Sequence, residues 1–213
     1  MMYLIQICLN LSITLIFSKF NYYPEFIINN LLSSIKNSNA FIIKLSQWIC
    51  TRYDTFENST LSKLYELFDN NNQHPLDYSK HLIQKEFPNH IDNIHIEETI
   101  ASGSIAQVYK GKFEDKQVAI KVLHPDVMKD VYKIRKIIDF IFKITKYFNI
   151  SKYIDFDEFW EMFWNQTDLS LEAENLMTFR DNFSKSSNIL TIPQIYLYSK
   201  SCIIMSYHEG KSF

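Results

Sequence analysis

Glycine, cysteine and net charge are all scarce in this chain. Its 213 residues contain three glycines and three cysteines, and the formal net charge is −2. The glycines are too few and too far apart for a G-x-G-x-x-G phosphate loop, and the charge gives no footprint for bulk nucleic-acid binding. The cysteines are odd in number and widely spaced, which fits neither a disulfide framework nor a zinc site. We therefore expect no nucleic-acid partner, no disulfide partner, no metal site and a reducing, intracellular compartment.

An apolar segment opens the chain, over residues 1–17. Polar residues interrupt it, and it is shorter than the roughly 20 apolar residues that a membrane-spanning helix needs. It also lacks the positive region and the small-residue cleavage site of a secretory signal. Two interpretations stay open: a segment that contacts membrane lipid, and a helix packed on the rest of the protein.

The stretch from residue 96 to residue 126 carries the strongest local signal. Two apolar runs, residues 105–109 and 118–122, flank a polar segment that contains Gly111 and predict a β-hairpin with a turn over 110–116. A tract of small residues precedes the hairpin: Ala101, Ser102, Gly103 and Ser104. Small side chains let main-chain N–H groups approach phosphate oxygens, so the tract is suited to cover a phosphate.

Lys121 lies inside the second predicted strand, in the sequence V-A-I-K. A buried ammonium group is costly without an anionic partner, and phosphates together with a carboxylate would supply one. V-A-I-K at this place is typical of a kinase-like nucleotide site. The alternative is an ordinary hairpin whose Lys121 extends into solvent.

Apolar residues at helical spacing predict helices on both sides of the hairpin. Their approximate limits are 26–35, 40–48, 77–87, 127–148 and 158–183. In the last helix Asp168 and Glu172 are four residues apart and therefore on one face. A carboxylate there can reach back to Lys121 and hold it against phosphates, as a helix glutamate does in kinases. Two solvated carboxylates are the alternative.

Taken in order, these segments resemble the ABC1/UbiB family of atypical kinases (ADCK-type, coenzyme Q8-like) over about residues 40–210. The resemblance depends on several motifs in series, because any one of them can occur by chance. They are similar to the family's K-x-G-Q and S-T-R-x-D motif, its alanine-rich loop, its V-A-[VI]-K-V-x-x-P strand and its E-x-D…E-A-x-N pattern. In this chain they fall on residues 44–54, 101–108, 118–125 and 166–175.

The resemblance implies roles for the matched residues. Lys121 is expected to bind phosphates, and Glu172 to pair with Lys121. The loop residues expected to cover the nucleotide are Ala101, Ser102, Gly103 and Ser104. Main-chain groups of the hinge, which includes Met205 and Tyr207, are expected to take the adenine. The implied cofactor is ATP or ADP with Mg²⁺.

Outside the hairpin, the family motif falls on Lys44, Gln47, Gln166 and Asp168. The chain departs from the family pattern at several places. Gln166 stands where the family has a glutamate, so the predicted partner of Lys44 can accept a hydrogen bond but carries no charge. Gly103 gives the loop more main-chain freedom than alanine would. The sequence stops before a catalytic loop or a metal-binding D-F-G segment, which implies weak nucleotide binding and little phosphoryl transfer.

We predict an α+β fold: a kinase-like N-lobe with a small antiparallel sheet and two long helices, preceded by a helical extension, with the C-lobe absent. The predicted domains are an apolar segment over 1–20, the extension over 21–93 and the N-lobe over 94–213. The predicted function is that of an atypical kinase or ATPase, linked by resemblance to coenzyme Q (ubiquinone) biosynthesis. The alternative is a non-enzymatic pseudokinase fragment that acts as a membrane-associated or protein-interaction module. A separate polypeptide that supplies the C-lobe is a further predicted partner.

Overall fold

The computed structural model describes residues 25–38, 40–50, 73–125, 127–129, 131–137, 139, 156–183 and 191–210. The predictions for the apolar segment 1–17 and for residues 51–54 of the family motif lie outside these residues. The chain divides into two compact units. One comprises residues 1–71 and 129–155, and the other comprises residues 72–128 and 156–213. The predicted domain limits stay a prediction.

The first unit contains two described helices, α1 (Glu25–Lys36) and α2 (Ala40–Cys50). Apolar side chains recur at helical spacing in both, and the buried ones are Leu32, Ile35, Phe41, Ile42, Ile43 and Trp48. Residues 131–137 of this unit are also helical, within the predicted helix 127–148. The helices predicted for residues 26–35 and 40–48 are thus confirmed.

The second unit contains a five-stranded antiparallel sheet in the spatial order β1-β2-β3-β5-β4. The strands are β1 (Ile94–Ser102), β2 (Ala106–Phe113), β3 (Lys116–Leu123), β4 (Ile195–Tyr198) and β5 (Cys202–Ser206). The helices of this unit are α3 (Leu76–Glu86), α4 (Phe156–Gln166) and α5 (Leu169–Phe183), and a 3₁₀ turn covers Ile91–Asn93.

The turn of the β2–β3 hairpin is shorter than predicted. It consists of Glu114 and Asp115, and Gly111 lies inside β2 instead of the turn. A Cβ atom on Gly111 would lie 2.3 Å from the main-chain oxygen of His95 on β1. Gly111 therefore serves the close approach of two strands.

Alternation along β3 separates the two faces of the sheet. Val118, Ile120 and Val122 are fully buried in a cluster that also contains Ile83 and Phe87, which come from α3 and the residue that follows it. The opposite face carries Lys121 and packs on α5. Its buried cluster consists of Leu169 and Ala173 of α5 and Ile203 of β5. The hydrophobic core therefore lies mainly on the α3 face.

The helix predicted over residues 158–183 is two helices. α4 ends at Gln166 and α5 begins at Leu169, because Asp168 leaves the helical path and caps α5. Asp168 Oδ1 accepts hydrogen bonds from the main-chain N–H of Ser170, at 3.0 Å, and from its hydroxyl group. The expectation that Asp168 and Glu172 lie on one face of one helix is therefore wrong.

Candidate functional site

Lys121 and Glu172 form an ion pair between the sheet and α5. Lys121 Nζ lies 2.6 Å from each carboxylate oxygen of Glu172, although the residues are 51 positions apart in the sequence. The two side chains are 24% and 39% exposed, so the pair lies at the edge of the packed face. The alternatives of a lysine extended into solvent and of solvated, unpaired carboxylates are wrong for these two residues.

Strand pairing places other predicted site residues beside Lys121. Ala101 and Lys121 both pair with Val108, so the three residues form one cross-strand row. The neighbouring row on the same face contains Ala119 and its partner Met205. The sheet therefore brings Ala101, Lys121 and Met205 to the face that α5 covers.

The start of α5 fixes the position of Glu172. The main-chain N–H of Leu169 donates to the carbonyl oxygen of Lys200, at 2.9 Å, which attaches the helix to the turn between β4 and β5. Leu169 and Ala173 then pack on Ile203. Glu172 lies in the first turn of the helix, where the helix dipole favours a negative charge. The carboxylate of Glu172 is thus held in the first turn of a helix whose N-terminal end is anchored to the sheet.

The loop between β1 and β2 consists of Gly103, Ser104 and Ile105. The N–H of Gly103 donates to the carbonyl oxygen of Ala106 at 2.9 Å, and the carbonyl oxygen of Gly103 lies 2.9 Å from His124 Nε2. Gly103 does not have a positive φ angle, and a Cβ atom there would meet its nearest neighbour at an ordinary 3.5 Å. The conformation of Gly103 is thus one that other residues can also adopt, and hydrogen bonds hold both of its main-chain groups in place.

Ala101 and Ser102 belong to strand β1 and not to the loop. Ala101 is exposed, Ser102 is half-buried and pairs with Gln107, and Ser104 is buried. Their predicted contact with a nucleotide stays a prediction.

The predicted hinge follows β5. Met205 lies within this strand and packs against the Leu169 cluster. The main-chain N–H of Tyr207 donates to the carbonyl oxygen of Gln117, at 3.2 Å, and the Tyr207 ring lies 4.9 Å from Lys110 Nζ. The predicted adenine contacts of Met205 and Tyr207 stay a prediction.

The residues of the family motif are divided between the two units. Lys44 is half-buried and Gln47 is buried, both on α2 of the first unit. Gln166 and Asp168 belong to the second unit. Gln166 Oε1 is buried, and among the described residues it has no hydrogen-bond partner. Asp168 caps α5 and lies 3.7 Å from Lys200 Nζ.

An open groove of about 940 Å³ lies between α4 and α5, beside the ion pair. Acidic, amide and apolar side chains line it, among them Glu161, Gln166, Leu171, Glu172 and Phe179. In the part of the chain that is described, no cluster of three or more His, Cys, Asp or Glu side chains is arranged to hold a metal ion. No helix of the described segments is long and apolar enough to cross a membrane.

A buried polar network that the sequence did not predict connects α3 to the loop. Its contacts run in series: His124 Nδ1 to His74 Nδ1 at 2.6 Å, His74 Nε2 to Ser79 Oγ at 2.6 Å, and Ser79 Oγ to the Tyr109 hydroxyl at 2.7 Å. Gln107 Oε1 accepts from the main-chain N–H of His74 at 2.9 Å. The two His-Pro dipeptides, at residues 74–75 and 124–125, are the signal that could have pointed to it, since a residue before proline is held in extended conformation.

Burial changes the proton affinities of the network. It lowers the pKa of His74 to about 4, with the neighbouring His124 acting in the same direction. Burial also lowers the pKa of His124, and it raises the pKa of Tyr109. All three groups are therefore neutral at pH 7. Cys202 is a free, buried cysteine, and burial raises the pKa of its thiol.

Comparison with known proteins agrees with the architecture. The ABC1 atypical kinase-like domain matches residues 66–213. The chain is 32% identical over 190 residues to the probable serine/threonine-protein kinase abkC of Dictyostelium discoideum, an alignment that covers 84% of this chain and 28% of that protein. It is 26% identical over 186 residues to the probable protein kinase UbiB of Haemophilus ducreyi, covering 79% of this chain and 34% of that protein.

A solved structure shares the fold. It is that of Rv3197 from Mycobacterium tuberculosis in complex with erythromycin, with a TM-score of 0.50 and 20% identity, covering 78% of this chain and 43% of that one. The predicted fold class and the predicted family are confirmed. The chain spans about 28% of the length of the first relatives it matches, so their full activities are those of much longer proteins.

Proposed function

Because this chain belongs to the ABC1 atypical kinase-like family, we propose that its five-stranded unit binds ATP or ADP, with Mg²⁺, through the nucleotide phosphates. The wider role we propose is that of an atypical kinase or ATPase with a link to coenzyme Q (ubiquinone) biosynthesis. Fold and family alone do not establish an activity, so the proposal depends on the site.

The Lys121–Glu172 ion pair is the observation that carries the proposal. An ammonium group has three donors, and a carboxylate that takes up to two of them leaves a third for a phosphate oxygen. The carboxylate also holds the lysine at one place on the sheet, which reduces the entropy lost when a phosphate binds. A pair with both side chains partly exposed contributes little to stability, at most about 1 kcal/mol. We therefore expect the ion pair to matter more for phosphate binding than for the stability of the fold.

The loop of residues 103–105 supplies the second part of the proposed site. The N–H and carbonyl groups of Gly103 both form hydrogen bonds within the protein, to Ala106 and His124. The N–H groups of Ser104 and Ile105 follow along the loop, and we expect these to face a phosphate. When Mg²⁺ is present it neutralises charge on the phosphates, and this chain's residues hold and orient the nucleotide.

Titration of the full chain with Mg·ATP, Mg·ADP and adenosine tests the proposal. We expect Lys121→Ala to weaken binding of both phosphorylated ligands at least about tenfold, because a charge-assisted contact to phosphate is lost. Adenosine, which has no phosphate, should bind equally to both proteins.

Lys112→Ala is the matched control. Lys112 also pairs with a glutamate of this unit, Glu97, at 3.4 Å, but both side chains are exposed. Nucleotide affinity should be unchanged by that substitution. Equal affinity of the wild type and Lys121→Ala for Mg·ATP would contradict the proposal. Phosphoryl transfer has its own readout, which is ATP turnover by the wild type that Lys121→Ala abolishes.

A non-enzymatic interaction module is the second candidate function. Exposed aromatic side chains on α5 favour it: Phe179 and Phe183 are 46% and 39% exposed, and their ring centroids are 4.4 Å apart. Exposed apolar surface marks protein or membrane interaction sites, and the partners we propose here are a lipid surface or a separate C-lobe polypeptide. Flotation with lipid vesicles tests the membrane version, and Phe179→Asp should abolish flotation if this surface is responsible.

A further inference from the structure

His124 holds the β1–β2 loop by two contacts. It follows β3 directly and lies three residues after Lys121. Its main-chain N–H donates to the carbonyl oxygen of Ile105 at 2.8 Å, and its Nε2 lies 2.9 Å from the carbonyl oxygen of Gly103. The strand that bears Lys121 and the loop are thus joined through one residue, by its main chain and by its side chain.

The direction of the hydrogen bonds made by the two histidines follows from the carbonyl at the end of the network. A carbonyl oxygen only accepts, so His124 Nε2 carries the proton and, in the neutral ring, His124 Nδ1 is an acceptor. His74 Nδ1 must then donate to it, so His74 Nε2 is an acceptor, and it lies 2.6 Å from Ser79 Oγ and 3.3 Å from the Tyr109 hydroxyl. The two hydroxyl groups are 2.7 Å apart, and either can donate to the other. The tautomers of both histidines therefore follow from the Gly103 carbonyl.

The inner end of this network is buried. His74 is 7% exposed, and Ser79 and Tyr109 are 0% and 1% exposed. Gln107, also buried, accepts from the main-chain N–H of His74 and donates to Thr99 on β1. A buried polar network with every member satisfied specifies a single geometry. The imidazole of His124 is therefore oriented from the core.

We infer that His124, oriented by His74, is a positioning residue that sets the loop of residues 103–105 over the phosphates of a bound nucleotide. The inference depends on the proposed nucleotide site, and it adds that the loop is aligned from the hydrophobic core instead of by the loop's own residues. The lowered pKa values of the two histidines agree with it, because a neutral pair keeps the donor and acceptor order described above.

Two substitutions at residue 124 separate positioning from general stability. In His124→Gln the amide nitrogen can reach the place of Nε2 and keep the contact with Gly103, while the contact with His74 is lost. In His124→Asn the shorter amide can keep the contact with His74, while the contact with Gly103 is lost. Each variant loses one hydrogen bond, so we expect similar losses of thermal stability.

The loop and its ligand should distinguish these variants. Exchange of the Gly103 amide, followed by NMR on the full chain without nucleotide, should be about fivefold faster in His124→Asn than in His124→Gln, the size of effect expected for one hydrogen bond. Affinity for Mg·ADP should be about fivefold lower in His124→Asn and close to the wild type in His124→Gln. Adenosine affinity should not change. The same two substitutions at His95, which is exposed on β1, are the control and should alter neither readout.

Equal exchange of the Gly103 amide in the two variants would overturn the inference, whatever the ligand data show. Equal Mg·ADP affinity of the two variants, with a wild type that binds, would also overturn it. If the wild type does not bind Mg·ADP, the proposed function fails, while a difference in exchange still supports the control of the loop by His124.

Discussion

The two faces of the sheet differ in how completely they are closed. On the α3 face, Ile83, Tyr109, Ile120 and Ile204 belong to one buried cluster, and even the polar groups there are satisfied. On the α5 face the buried cluster found among the described residues is smaller, with Leu169, Ala173 and Ile203, and a partly exposed lysine lies on the same face. The closed face supplies stability, and the open face leaves room for a ligand. Neighbouring residues of β3 point to different faces, so substitution of one should affect stability and substitution of the next should affect ligand binding.

Ile120→Ala is the substitution with the largest expected effect on stability. The side chain is fully buried on the α3 face, and its truncation should lower the free energy of unfolding by about 2–5 kcal/mol. Urea unfolding measures the loss. The next residue, Lys121, points to the other face, and its substitution should cost no more than about 1 kcal/mol. Similar losses at the two positions would contradict the difference between the faces.

Acid should destabilise the closed face through His74. Its pKa is about 4 in the native protein and 6.5 in the unfolded chain, so the unfolded chain binds the proton more readily. The stability from the neutral imidazole is complete above pH 6.5 and is lost as the pH falls towards 4, by up to about 3 kcal/mol. The lowered pKa of His124 acts in the same direction.

Urea unfolding between pH 7 and pH 5 measures this slope, since the carboxylates contribute mainly below that range. His74→Asn should be less stable at pH 7 and should show a shallower slope. An unchanged slope in that variant would show that His74 is not the titrating group.

The two glycines of the hairpin region sharpen the comparison further. Gly111→Ala should cost about 1–3 kcal/mol, because its Cβ would lie 2.3 Å from the main-chain oxygen of His95. Gly103→Ala should be close to neutral, since its nearest contact would be 3.5 Å. Thermal unfolding of the two variants tests both statements. A destabilised Gly103→Ala would mean that the loop is more tightly packed than its contacts indicate.

Local patterns predicted much of this unit. The apolar run of residues 118–122 predicted β3, and the family pattern linked Lys121 to Glu172. The interruption at Asp168 was missed because the polar residues 165–168 include no proline or glycine to signal a break, while one side chain provides the cap. The histidine network was missed because strand pairing and α3 bring together residues that are 30 to 50 positions apart. The residues of such a network do not recur at a regular spacing in the sequence, so no pattern predicts them.

A double-mutant cycle on Lys121→Met and Glu172→Gln tests the central claim most directly. Each variant is measured twice, by urea unfolding and by titration with Mg·ATP. We predict a coupling of at most about 1 kcal/mol in unfolding and a loss of Mg·ATP affinity of at least about tenfold for Lys121→Met. A coupling of several kcal/mol in unfolding with unchanged Mg·ATP affinity would show that the pair supports the fold and not a nucleotide site.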